Sequence, residues 1–150
     1  MKLLLALVTL VTLLFSGCSK SHDHGSHGGH AHTAPHGGTL VEVGEHAYNL
    51  ELVRDATAGK LTVYVLDGHA ENFVRIAAPS IELIALTGGE RRPLSLKAVA
   101  NAATGETIGN TSQFEAQADW LTTTSEFPGT IDAIEIKGTR FTNIAIQLKK

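Results

Sequence analysis

Beyond residue 36 the apolar residues come in short runs separated by glycine and polar turns, and within several runs they alternate. His46–Arg54 puts His46, Tyr48, Leu50 and Leu52 on one side, with Asn49 and Glu51 on the other. Gln113–Trp120 places Phe114, Ala116, Ala118 and Trp120 together in the same way. A period of two is the signature of a strand with one face in a core. Thr39–Val43 reads as a short strand, and Lys60–Leu66 as one rich in β-branched and aromatic residues, reached through Asp55–Gly59. Ile81–Thr87 and Pro93–Ala100 flank a Gly88-Gly89 turn, and Thr130–Lys137 and Arg140–Leu148 are joined around Gly138. No stretch there carries a 3.6-residue apolar stripe with caps, so helices are expected to be minor. Seven or eight short strands predict an all-β fold, a single β-sandwich with an immunoglobulin-like arrangement among its options.

The first 35 residues have a different texture. Residues 3–15 are almost wholly apolar, follow Lys2, and are too few for a spanning helix of about 20 residues. Ser16 and Gly17 then precede Cys18. Phe15-Ser16-Gly17-Cys18 resembles the lipobox of bacterial lipoprotein signals, although Phe15 stands where leucine is more usual. The resemblance implies that Cys18 becomes the lipid-modified first residue of the mature chain, with palmitate among its acyl groups. Ser19 after it implies the periplasmic face of the outer membrane in a Gram-negative host. Residues 18–35, rich in Gly, Ser and His, read as a flexible tether. Three zones are therefore expected: a lipoprotein signal sequence over 1–17, a lipid-anchored linker over 18–35 and the β-domain over 36–150.

Composition removes whole classes of function. Twelve basic residues stand against 15 acidic ones, a net charge of −3, and nucleic-acid binders carry a basic excess instead. The single Cys18 forbids an intramolecular disulfide, and the single Met1 leaves with the leader. A mature chain with a lipid-modified Cys18 has no free thiol and no methionine. Cysteine nucleophiles, thiol redox chemistry, iron–sulfur clusters and thioether copper(I) sites are excluded on this reading. No His-Glu-x-x-His, phosphate loop, Gly-x-Ser-x-Gly elbow or dinucleotide fingerprint is present, and the chain is read as no enzyme.

The strongest chemical signal is the histidines. Six of the eight, His22, His24, His27, His30, His32 and His36, fall within residues 22–36. Neutral imidazole suits zinc, copper(II) and nickel. In extended chain, residues two apart project to one side, so His22 with His24 and His30 with His32 can each present a pair. A zinc ion takes about four ligands, and six histidines with Asp23 can supply such a set. Binding of this kind is expected to weaken below about pH 6.5, where imidazoles protonate. His46 reads as a strand-end residue more readily than a ligand. Asp67, His69 and Glu71 lie close in sequence and offer either an oxygen/nitrogen metal site or a polar loop after a buried strand.

Pro35-His36-Gly37-Gly38-Thr39-Leu40, followed by Tyr48-Asn49-Leu50-Glu51-Leu52-Val53 and then Leu61-Thr62-Val63-Tyr64-Val65-Leu66-Asp67, resembles a known arrangement. It is similar to the small β-domain near the start of periplasmic adaptor subunits of cobalt–zinc–cadmium heavy-metal efflux pumps, and to free-standing bacterial lipoproteins with the same Pro-His-Gly-Gly opening. The resemblance covers about residues 35–76 and implies a periplasmic, metal-handling context in which His36 carries over. A complete adaptor also needs a helical hairpin, a lipoyl-like domain and a membrane-proximal barrel, for which 150 residues leave no room.

Two functions follow as expectations. One is an envelope lipoprotein that binds a divalent transition metal through its histidine tract, for buffering or for efflux, with the membrane and an efflux component as partners. The other is a structural or partner-binding β-sandwich whose tract is only a spacer, about 20–25 Å in root-mean-square reach.

Overall fold

A computed structural model describes residues 32–149. The leader, Cys18, His22, His24, His27 and His30 lie outside the described residues. Eight strands are present: β1 (Thr39–Val43), β2 (Tyr48–Asp55), β3 (Lys60–Asp67), β4 (Ser80–Thr87), β5 (Glu90–Ala98), β6 (Gln113–Gln117), β7 (Phe127–Ile136) and β8 (Thr139–Leu148). All pair antiparallel in one continuous sheet, in the order β1-β2-β3-β6-β5-β4-β7-β8. The sheet coils until its first and last strands approach each other. The Thr39 hydroxyl accepts the Lys149 N–H at 3.1 Å and lies 3.4 Å from the Lys149 carbonyl. The fold is thus all-β and barrel-like, in keeping with a sandwich or barrel of this strand number.

Alternation explains the core. In β4, Ile81, Leu83 and Ala85 are buried while Glu82 and Leu86 face outward. In β7, Ile131, Ile134 and Ile136 are buried, whereas Asp132 and Glu135 lie on its exposed face. Phe114 and Phe127 are the largest fully buried side chains. The helical content of the described residues is one 3-10 turn, Asp119–Thr122, which seats Leu121 in the core.

Several boundaries depart from the sequence pattern; β7 starts at Phe127 rather than Thr130, and β5 ends at Ala98 rather than Ala100. His46 does not open β2. Gly44, Glu45 and His46 all have positive φ (68°, 52° and 70°), which turns the chain before the strand begins at Tyr48. β5 starts at Glu90 rather than Pro93, because Gly88 and Gly89 both take positive φ and form a two-residue hairpin turn that pairs Thr87 with Glu90. β6 ends at Gln117, and Trp120 sits in the 3-10 turn, edge-on to Phe127 with ring centres 5.3 Å apart.

The long β5–β6 connection is organised by Glu106, which is only 7% exposed. Its carboxylate accepts the Ser112 N–H at 2.8 Å and the Ser112 and Thr104 hydroxyls at 2.6 and 2.8 Å, with the Arg75 guanidinium nearby. Burial raises the Glu106 pKa, but these donors and Arg75 more than offset it and leave it below the ordinary glutamate range. A depressed folded-state pKa adds stability above the unfolded value that disappears as pH falls through the folded one. Unfolding midpoints are therefore expected to drop as pH falls below about 4.3. Glu106→Gln is expected to flatten that dependence, and urea titrations across pH 3–6 check it.

Candidate functional site

The Pro-His-Gly-Gly segment is a bracket built around one buried carboxylate. Pro35 and His36 form the corner of a turn closed by the Gly37 N–H on the Ala34 carbonyl at 3.1 Å. Gly37 then takes φ +70°, a conformation that costs glycine little. Gly38 lies flat on β2, where a Cβ would come within 2.5 Å of the Leu52 carbonyl oxygen. These constraints bring two backbone donors and one ring onto Glu51. Its Oε1 accepts the His36 N–H at 2.7 Å and the Gly38 N–H at 3.0 Å, and its Oε2 lies 2.8 Å from His36 Nδ1. The Glu51 side chain is 0% exposed and that of His36 is 37% exposed.

This arrangement fixes which nitrogen of His36 is available. A carboxylate can only accept, so a neutral ring puts its proton on Nδ1 and leaves the lone pair on Nε2. Metal-binding histidines are commonly oriented by such a second partner on the other nitrogen. The ring also lies flat on Tyr64, with centres 4.0 Å apart and planes 14° apart, beside Phe73 at 5.7 Å. Burial, with Glu115 and then Glu51 adding against the opposing Lys60, raises the Tyr64 pKa and keeps the phenol neutral beneath the imidazole.

A second structured element lies at the end of β3. Asp67 Oδ1 accepts the Glu71 N–H at 2.9 Å, and Oδ2 accepts from the Asn72 amide at 2.6 Å. The Asp67 N–H meets the Asn72 carbonyl at 2.9 Å, and the Ala70 N–H meets the Asp67 carbonyl at 3.0 Å. The Asn72 amide, joined by the local backbone N–H groups, pulls the Asp67 pKa below its ordinary value against the opposing effect of burial. Buried Asn49 ties the loop down from β2 by donating to the Asp67 and Gly68 carbonyls at 3.2 and 2.9 Å. Gly68 packs against the His46 backbone so closely that a Cβ there would overlap the His46 carbonyl oxygen. His69 rides on this loop, exposed, and its ring meets that of His32 edge-on, with centres 5.7 Å apart.

The structure therefore gives each described histidine its own surroundings. His36 is held by Glu51 and Tyr64, His46 lies 2.8 Å from Glu42 Oε1 on an exposed turn, and His69 faces His32. Asp67 and Glu71 are joined through the Glu71 backbone, with the Asp67 carboxylate turned into its own loop. Among the described residues, no group of three or more His, Cys, Asp and Glu side chains is arranged to hold a metal ion. The sequence pattern does not single out Glu51, which is a carboxylate inside the apolar run Tyr48–Val53. That placement, opposite a His-Gly-Gly segment rich in donors, is the signal available for it.

No family model matches this chain, and neither does any curated protein or solved structure.

Proposed function

We propose that this chain is a lipid-anchored cell-envelope protein that binds zinc, copper(II) or nickel through the histidines of residues 22–36 and serves metal buffering or efflux. The observation that carries the reading is six histidines within 15 residues of a chain whose mature part offers no competing sulfur ligand. The His36–Glu51 pair supports it, because a carboxylate on Nδ1 holds the ring so that Nε2 is free to ligate. The protein acts as a binding module and not as an enzyme. Its partners are the membrane, through Cys18, and a component of a metal-efflux system.

The test is calorimetric titration of the mature chain carrying Cys18→Ser with each metal at pH 7.4, beside a shortened chain beginning at Thr33. Micromolar or tighter binding that is lost on shortening is the expected result. Binding no tighter than about 100 μM in both chains would overturn the metal reading and leave the β-domain as the working part.

A further inference from the structure

We infer that His32 and His69 form a two-histidine metal site that clips the N-terminal segment to the loop after β3. The inference deepens the proposed metal binding by naming a ligand that lies outside the tract. Four observations carry it. The first is the contact itself: two imidazoles from residues 37 positions apart in sequence meet at 5.7 Å between ring centres. A tetrahedral zinc ion with nitrogens at about 2.0–2.1 Å brings two ring centres to about 5 Å, so the rings already stand at close to chelating separation, and rotation about the side-chain torsions turns their nitrogens onto a shared ion.

The second observation is the anchoring of His69. Its loop is closed by the Asp67 carboxylate, by the Asp67–Asn72 backbone bond and by Asn49 from below. The third is the anchoring of His32. It stands four residues before His36, whose N–H and ring are both bound to buried Glu51, with Pro35 stiffening the link. The loop bearing His69 and the backbone next to His32 are thus fixed before any metal arrives, which removes part of the ordering entropy that weakens a floppy site. The fourth is access. The His69 side is exposed, which leaves room for solvent to complete the coordination sphere. A divalent, nitrogen-preferring ion such as zinc or copper(II) fits two imidazoles plus water.

The test uses the full-length chain in detergent micelles with His22, His24, His27 and His30 all changed to alanine, so that the tract cannot mask the site. Zinc and copper(II) alone are the probes, in calorimetry at pH 7.4 and in thermal melts. This variant is expected to bind one ion and to gain melting temperature from it. His69→Ala and His32→Ala are each expected to weaken binding on the order of 100-fold, the scale of losing the second arm of a chelate. The double variant should lose little more than either single one. Because His69 is exposed, its replacement is expected to leave the metal-free melting temperature unchanged, which separates lost ligation from lost folding. Unaltered affinity in His69→Ala, additive losses in the double variant, or no binding by the four-alanine variant would each overturn the inference. Failure of the tract reading looks different. In that case the unmodified chain binds one ion with the same affinity as the four-alanine variant, and His69→Ala abolishes it.

Discussion

Replacing Glu51 with alanine is expected to destabilise the domain by about 3–5 kcal/mol, because it removes one buried carboxylate from three donors at once. The His36 and Gly38 N–H groups, now at 2.7 and 3.0 Å from Oε1, would be left without that acceptor, beside a void where the side chain was. The bracket over β2 would open, and His36 would lose the contact that orients its ring. Glu51→Gln is expected to behave differently. An amide oxygen in the Oε1 position still accepts both backbone donors, so the cost should be about 1–2 kcal/mol. The amide nitrogen then faces Nδ1, and a ring facing a donor must accept through that atom. The proton consequently moves to Nε2, and the outward nitrogen no longer has a lone pair for a metal. Alanine should thus remove stability and ligation together, whereas glutamine should keep the fold and lose His36 as a ligand. Urea midpoints report the first effect and nitrogen-15 shifts of the His36 ring report the second. An alanine variant as stable as the parent would mean that water or a neighbour replaces the carboxylate.

That experiment also marks where the sequence stops being readable. Strand positions follow from alternation, and β1, β3 and β8 begin and end within a residue of where the apolar pattern puts them. Alternation also separates Asn49 and Glu51 from Leu50 and Leu52, but it says only that they share the opposite face. It does not say what covers that face. Glu51 is covered by His36 and Gly38, with Phe73 against Tyr64 and His36, and Asn49 lies under the Asp67–Gly68 loop, all segments distant from β2 in sequence. Glu51 at 0% and Asn49 at 1% exposure are therefore products of tertiary packing that no local rule anticipates. The turn at Gly44–Ala47 shows a related limit: an alternating pattern extends backward through His46, while positive φ at three successive residues delays the start of the strand by two residues, to Tyr48. The His32–His69 contact depends on a loop whose closure rests on one aspartate, Asp67, and on Asn49 of the neighbouring strand β2. A spacing rule sees Asp67, His69 and Glu71 as candidate ligands together, whereas the Glu71 N–H and the Asn72 side-chain amide take the Asp67 oxygens before a metal can.

Phe114→Ala is expected to cost about 3–5 kcal/mol, and its position in the topology places it at the high end of that range. β6 has only five residues, yet it is the strand that joins β1-β2-β3 to β5-β4-β7-β8. On one side it pairs with β3 over Lys60–Tyr64, and on the other it meets β5 at only two positions, Lys97 and Ala98. Phe114 stands at that junction, opposite Val63 on β3 and Ala98 on β5, and is 0% exposed. Truncation leaves a cavity where the hydrogen-bonded connection is thinnest, so little nearby backbone is free to collapse into it. A domain of this size has about 5–15 kcal/mol in total, and this loss consumes a large part of it. The effect on metal should follow the fold and not the tract. His36 and His69 depend on β2 and β3 for their placement, while the histidines before residue 31 are separated from the domain by sequence. Chemical denaturation is expected to give a lowered midpoint. Metal titration above that midpoint should then retain whatever binding residues 22–30 supply and lose the contribution of His36 and the His32–His69 pair. Retention of the full affinity in the unfolded variant would assign all of the binding to the tract and none to the β-domain.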